Sequence, residues 1–413
     1  MGENMRKNAK QQNKVLMFLL MFLSEDVMIF STNMDRRYFW FRNIAVMIIT
    51  LWLLYTYLRN NRMISRNVVL AASLLILNVI LTMSVNQDID NRFIYNIVII
   101  VLAAMVVSRL TVDEFISSYC NCMKVFAIAS LIEYAIFLIA YPITTLAPQV
   151  VNLSGARFSN WFLTISLNKE FYFVMPYRNW GIYREPGVYM CFLILALIFE
   201  MFLMKKKRSN ILLFFATLVT TFSTGGFIVG ALLLLIYVMV SIDKAHINVR
   251  RMFVSTILIT LVAYFLFKYW DNIDYWVFGK LNQNGGSADA RFGAVLSNLA
   301  LFIRKPLLGH GWVNMANQFS SMQTLINTDH NTNTLLLLLS VYGIVTGILM
   351  IGGTVLFFYH KRRGVIGIAL AVCWILAISN ENLSLNVVIY TLAMYGMKLF
   401  NRRVTNKYDE AEY

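Results

Sequence analysis

The residues best suited to chemistry in this 413-residue chain are arginines in polar breaks between apolar runs. Arg184 stands in GIYREPG at the mouth of an apolar run, and Arg291 opens a helical stretch in ADARFG. A guanidinium stays charged and presents a planar fork that matches phosphate oxygens two at a time. Two such groups at a low-dielectric boundary can hold a diphosphate and steady it as it departs, a task done elsewhere by a metal ion. The plainer reading of an interfacial Arg is a side chain snorkelling to lipid headgroups; the Glu-Pro-Gly after Arg184 weighs against it there. Glu185 is then a general base or, as its adjacency suggests more strongly, the ion-pair partner that orients Arg184. His330, in DHNTN, is the histidine placed to act as a base, because its ordinary pKa lies near neutrality. Asp289 and Asp329 stand behind it as proton acceptors. His246 and His360 fall in basic loops and read as solvated, and His310 in LLGHGW reads as a turn cap.

These residues must be positioned by two long polar segments. The second, residues 271–333, contains one amphipathic helix: from Phe292 the apolar residues recur at Val295, Leu296, Leu299, Phe302 and Ile303, with Ser287 as N-cap and Pro306 and Gly309 ending the run. Its cations, Arg291, Arg304 and Lys305, bracket the stripe, as in a helix lying on a membrane surface or serving as a lid. The first segment, residues 143–186, is basic and aromatic, with Arg157, Arg178, Trp180 and Tyr183. Alternation around residues 171–183 predicts a short hairpin. Its aromatics are interface anchors or platforms for sugar rings. The candidate substrate contacts are therefore Arg157, Arg178, Arg304, Lys305, Trp180 and Tyr183.

The scaffold is membrane-embedded. The chain is 59% hydrophobic and 14% charged, and apolar segments recur from end to end, which excludes a soluble enzyme. Its net charge of +15 is then a matter of loops and topology, not of nucleic acid. Twelve spans are expected, at 15–31, 43–58, 67–85, 93–108, 120–142, 187–204, 210–223, 225–241, 252–270, 334–359, 364–380 and 383–400. The pair at 210–241, broken by STGG, reads as a tight re-entry of half-length helices, permissible only where protein covers the backbone. Most Lys and Arg fall on the side of the N-terminus, so both termini are expected inside and both long segments outside. Arg36, Arg37 and Arg42 resist this, as functional cations or as a sign that the first hairpin is misplaced. Glu25, Asp26, Glu133 and Glu200 lie within expected spans, where acids tend to line cavities, and Glu25 and Asp26 are placed to pair with outward arginines such as Arg36. Cys120, Cys122, Cys191 and Cys373 form no CxxC pair and read as packing. There is no P-loop, no GxGxxG after a strand, no HExxH and no DxD metal-diphosphate motif in a soluble domain, so no metal or other cofactor is expected, and a sugar donor would have to arrive on a lipid.

The strings GIYREPGVY, TTFSTGGFIVG, ARFGAVLSNLALFIRKPLLGHGW and HNTNTLLLLLSVYGIVTG, spread over residues 181–347, resemble the O-antigen polymerase and ligase family of membrane glycosyltransferases. The resemblance implies an all-α, GT-C-like, multi-pass protein of the bacterial cytoplasmic membrane. It implies metal-independent, inverting transfer from an undecaprenyl-diphosphate-linked oligosaccharide at the outer face, with Arg184 and Arg291 at the diphosphate. Membrane lipid and a chain-length regulator protein are the other expected partners. In the ligase pattern a His-Asn pair precedes Gly343 more closely than His330 does, and Thr332-Asn333 stands in its place, which favours a repeat-unit polymerase. The alternatives are a ligase passing glycan to a lipid or protein, and a flippase for the same lipid-linked glycan. The whole chain is expected to form one membrane domain.

Overall fold

The computed structural model describes residues 2–31, 34–59, 64–153, 155–171, 178–205, 207–242, 287–326 and 331–400. The expected span at 252–270, the start of the second polar segment, His246, Asp329 and His330 lie outside the described residues.

The described chain is mostly helical. It runs through α1 (Gly2–Phe22), α2 (Arg36–Arg59), α3 (Arg66–Asn86), α4 (Asn91–Arg109), α5 (Val112–Ile139) and a one-turn α6 (Tyr141–Thr144). A small sheet follows, then α7 (Pro186–Leu203), α8 (Arg208–Thr220) and α9 (Thr224–Ile242). After these come α10 (Ser287–Arg304), α11 (Trp312–Ile326), α12 (Thr334–Tyr342), α13 (Ile344–Lys361), α14 (Val365–Ile378) and α15 (Val387–Leu399). Six helices, α2 to α5, α7 and α13, are long and apolar enough to cross a membrane, and α8, α9, α14 and α15 are shorter apolar helices. The arrangement is that of a multi-pass membrane protein.

Sequence explains where these helices start. Asp90 caps α4 by accepting from Arg92 N–H, and Thr111 with Glu114 forms a capping box at α5. Asn333 and Asn386 cap α12 and α15 in the same way. Helix α7 is the centre: its membrane-length window is wholly buried, wrapped by α5, α8, α9 and α14. Within lipid, helices gain little from hydrophobicity and associate by close packing. The crossing of α13 and α15 follows that rule, with Gly353 against the backbone of Ala393 and Gly396. The four cysteines are buried and unpaired, as packing residues.

Several expectations are corrected. The fold is not purely helical: β1 (Gln149–Val151), β2 (Arg157–Asn160) and β3 (Ile165–Leu167) form an antiparallel sheet of order β1-β2-β3, with Gln149 opposite Ser159 and Phe158 opposite Leu167. It lies ahead of the hairpin expected around 171–183, where residues 172–177 fall outside the described set and 178–183 form only an isolated bridge, Val27 to Tyr183. The first helix stops at Phe22, so Glu25 and Asp26 sit in a turn and not in a span. The break at STGG falls between α8 and α9, two of the shorter apolar helices. It is tied to the loop before α7, where Arg178 Nε donates to Thr221 O at 2.9 Å and Asn179 N to Thr220 O at 2.9 Å.

Helix α10 occupies 287–304 as its spacing predicts, and it is packed in an unexpected sense. Phe292, Leu296, Leu299 and Ile303 face outward, while Ala294, Ser297, Asn298 and Leu301 are buried against α11 and α12. In a membrane the apolar stripe turns to lipid and the small polar face makes the protein contact. Asn298 exchanges two hydrogen bonds with Asn331, at 2.8 and 3.0 Å, and accepts from Ser340 Oγ. So fastened, the helix is not a free lid.

The PLLGHGW and SVYGIVTG strings lie against each other. His310 N donates to Ser340 O at 2.9 Å, Gly311 N to Val341 O at 3.0 Å and Ile344 N to Pro306 O at 2.8 Å. Gly309 (φ 60) lies against the Val341 carbonyl and Gly343 (φ 77) against Leu307. Gly343, with ψ −166, adopts a conformation open essentially only to glycine. His310 is buried within this crossing, its ring nitrogens facing Leu301 O and Gln318. Gly343→Ala is expected to cost about 1–3 kcal/mol. Gly352→Ala, helical with open space around its Cβ, should leave stability unchanged or raised. Thermal unfolding of the two purified variants checks this, and equal midpoints would contradict it.

Candidate functional site

Arg184 is placed by its own backbone. The segment 182–184 pairs with the turn after α1: Met28 N donates to Ile182 O at 2.9 Å, and Arg184 N to Asp26 O at 2.8 Å. Pro186 then starts α7, where its missing N–H costs nothing. The guanidinium Nη2 lies 3.4 Å from Asp26 Oδ1 and donates to the Asn382 carbonyl. The side chain remains 26% exposed, and among the described residues its buried Nε has no hydrogen-bond partner. Burial opposes its charge, but the carboxylates of Asp26, Glu185, Glu381 and Glu25 outweigh that and hold its pKa above the ordinary value. The orienting partner is therefore Asp26 and not the adjacent Glu185, whose side chain is exposed and makes no cap bond. Asp26 is itself fully buried and accepts from Ser24 Oγ at 3.0 Å and Asn386 Nδ2 at 2.6 Å.

Arg291, in the first turns of α10, reaches the same loop from the other direction. Its Nη2 lies 3.8 Å from Glu381 Oε1, with the two side chains 29% and 6% exposed. Glu381 belongs to the link 379–386 between α14 and α15, fixed where Thr334 Oγ1 donates to Glu381 O at 2.6 Å and accepts from Leu383 N at 2.9 Å. The carboxylate packs on Gly187, where any Cβ would collide with it. This is the physical reason for glycine in REPG. Burial, reinforced by Glu185, pushes the Glu381 carboxyl up to about 8 against the pull of Arg291, Arg184 and Arg178. Adjacent residues 381 and 382 thus hold the two arginines that the sequence singled out.

Other predicted contacts are scattered. Arg178 is near enough to influence Glu381. Arg157 is exposed on β2. Arg304 lies thirteen residues from Arg291 on α10, roughly 20 Å along the axis. Lys305 Nζ donates to Asn86 Oδ1. Neither is brought to the arginine pair. Tyr183 is fully buried, stacked on Phe192 at 4.6 Å, and belongs to the core and not to a sugar platform. Trp180 packs edge-on against Phe158 at 5.3 Å. Glu133 is buried within α5, and Glu200, buried in α7, accepts from Asn210.

The sequence reading missed Glu381 and Asn382 as site residues, and it singled out Asp26 without linking it to Arg184. Their available signal was an acid in each of two short polar breaks, SED and SNEN, between apolar runs. Arg36 does not hold Glu25 or Asp26; it is exposed at the start of α2. Glu25 instead faces Arg42 Nη1 at 3.5 Å, and burial raises its pKa against the pull of Arg42. Arg42 is fully buried between the Phe39 and Tyr95 rings, 4.6 and 4.7 Å from their centroids, while Arg37 pairs with Asp35. Among the described residues no group of three or more His, Cys, Asp and Glu has the make-up of a metal site.

A carboxyl held above its unfolded pKa makes the folded state bind the proton more tightly. Its stabilising share is complete below the unfolded value near ~4.3 and is lost as pH rises through the folded value. Between pH 5 and 9 the thermal midpoint of the protein should therefore fall relative to that of Glu381→Gln, which keeps the shape without the proton. Parallel midpoints across that range would contradict the raised pKa.

A search of the curated proteins finds no match. The family model described as O-antigen ligase matches residues 209–351. The matched segment takes in the α8–α9 hairpin, Arg291 and α10, and the glycine crossing around Gly309 and Gly343. Arg184 lies ahead of it, joined to Arg291 through residues 381 and 382. That segment, about a third of the chain, is a domain of the O-antigen ligase family and supports the resemblance to the O-antigen polymerases and ligases.

Proposed function

We propose that this membrane protein is a polysaccharide repeat-unit polymerase. It moves a growing glycan from polyprenyl diphosphate to a sugar hydroxyl of a second lipid-linked unit, at the outer face of the bacterial cytoplasmic membrane. The observation that carries the reading is the convergence of Arg184 and Arg291 on one short loop, through Asn382 O and Glu381. The family match supports a membrane enzyme acting on lipid-linked oligosaccharide. In this reading the chain forms one GT-C-like membrane domain, with both termini inside and a chain-length regulator as partner.

The acceptor oxygen attacks the anomeric carbon as the bond from that carbon to the diphosphate oxygen breaks. The bonding pair leaves with the polyprenyl diphosphate, and the anomeric configuration inverts. Arg184 and Arg291 take up the charge gathering on the departing oxygens. They are charged, partly exposed and already fixed before substrate arrives, which is what makes such groups effective in a low-dielectric site. The acceptor's proton goes to His330. Glu185, exposed beside Arg184 and not needed to orient it, is the alternative acceptor. The match to an O-antigen ligase family favours a second reading, a ligase, which differs only in the acceptor.

Purified protein given lipid-linked repeat units in detergent, without an energy source, should lengthen the glycan. Transfer only to an added lipid or protein acceptor would select the ligase, and unchanged substrate would contradict both. Arg184→Ala and Arg291→Ala should each lower the rate by about 10²–10³-fold, as loss of one preorganised oxyanion donor does, with Lys restoring little because it lacks the fork. Normal polymer from Arg291→Ala would remove that residue from the site. Full activity in His330→Ala would pass the base role to Glu185.

A further inference from the structure

Helices α1 and α2 lean on different neighbours. Helix α1 packs on α5 and α2 packs on α4. The cleft between them holds a cavity of about 590 Å³, walled by Leu16, Leu19, Ile48, Ile49 and Trp52. Leu19 and Ile49 also line a narrow neck that continues past Leu23 to Tyr95 and Leu385. Tyr95 and Leu385 in turn line a polar cavity of about 200 Å³ with Arg42, Arg92, Arg184 and Glu25. Each space shares wall residues with the next, so the apolar cleft lies in line with a cluster of arginines. Along α1, from Gln11 to Leu23, it extends roughly 18 Å, more than half of a ~30 Å hydrocarbon core.

The head of this path is built for an anion carrying sugar. Arg92 is held by Asp90 at 2.8 Å, lies over the Trp312 ring at 4.7 Å and is 41% exposed. Arg184, 26% exposed, lines the same cavity. Arg42, wholly covered, supports the floor beside Glu25. Asn43, Asn91 and Ser384 add hydroxyl-binding groups to the lining. Three guanidiniums face one carboxylate on the cavity wall, while Asp26 and Asp90 pair with Arg184 and Arg92 from behind. At about 200 Å³ the space is below that of a drug-sized pocket, ~300–1,000 Å³, and suits a diphosphate with one sugar ring. The neck has about 10 Å³ of room, space for roughly one water, so a prenyl chain enters it only as Leu19, Leu23 and Ile49 move apart.

We propose that the α1–α2 cleft and the cavity of Arg42, Arg92 and Arg184 seat a second isoprenoid diphosphate, that of the acceptor lipid. The inference rests on the polymerase reading above, in which the donor diphosphate lies at Arg184 and Arg291. Arg291 does not line the cavity, and Arg184 stands between the two seats. Shared in this way, Arg184 brings the acceptor sugar beside the donor's anomeric carbon.

The test is the stoichiometry of farnesyl diphosphate bound to the purified full chain in detergent, read by native mass spectrometry and equilibrium dialysis. Two molecules per chain are expected. Ile49→Trp and Leu16→Trp, which plug the cleft from its opposite walls, should each leave one, as should Arg92→Ala. Arg291→Ala should also leave one, and combining it with Ile49→Trp should leave none. Two molecules bound in all three cleft variants, each eluting as a folded species, would overturn the inference while leaving the donor site standing. Full binding in Arg291→Ala with loss in Ile49→Trp would instead unseat the donor reading. Displacement of the cleft-bound molecule by an equal concentration of phosphatidylglycerol would show a general lipid groove and would also overturn the proposal.

Discussion

A carboxylate taken out of water must be answered by a cation or by a proton. Glu381 sits where both answers are available. It is nearly buried, pressed against Gly187 and tethered through its backbone to Thr334, so it cannot turn away to solvent. Its raised pKa measures how costly the charge is there, and the pull of Arg291, Arg184 and Arg178 measures what makes the charge tolerable. The same balance describes a site waiting for a stronger anion. A diphosphate arriving between the arginines offers them more charge than one strained carboxylate 3.8 Å away, and Glu381 can then keep its proton. This carboxyl thus holds the guanidiniums in place without competing strongly for them.

The rest of the scaffold serves that meeting of distant segments. Arg184 is fixed by the turn after the first helix, Arg291 by a helix whose polar face is locked to Asn331 and Ser340. The glycine crossing around Gly309 and Gly343 ties the far end of that helix to the start of α13. Because the apolar stripe of α10 faces away from the protein, its inner face is free for small and polar residues. Small residues permit close approach and the amides hold register, which is how helices associate where hydrophobicity gives no direction.

Much of this was legible in the residues. Arg184 and Arg291 announced themselves as cations flanked by Pro, Gly and apolar runs. Helix α10 followed from spacing alone, and Pro306 and Gly309 were expected where its run ends. What stayed hidden was pairing across the chain. Arg184 reaches Asn382, 198 residues away, and no local pattern records that distance. Asp26 was misplaced because apolar Val27, Met28 and Phe30 follow it and prolong the hydropathy signal, although they pack in a short turn after α1 has ended. Tyr183 was misread because an aromatic before a span suits a membrane interface and a buried stack equally well. Arg42 looked like a topological anomaly, yet two aromatic rings and Glu25 absorb its charge inside the fold.

The central claim is that Arg184 and Arg291 act on one diphosphate. A double-mutant cycle on the dissociation constant of polyprenyl diphosphate, the departing product, tests it most directly, using Arg184→Ala, Arg291→Ala and the pair combined. If both guanidiniums grip one ligand, the losses are non-additive, with a coupling of at least ~1 kcal/mol, within the range found for residues that share a partner. Losses that simply add would place the arginines on separate ligands and contradict the account.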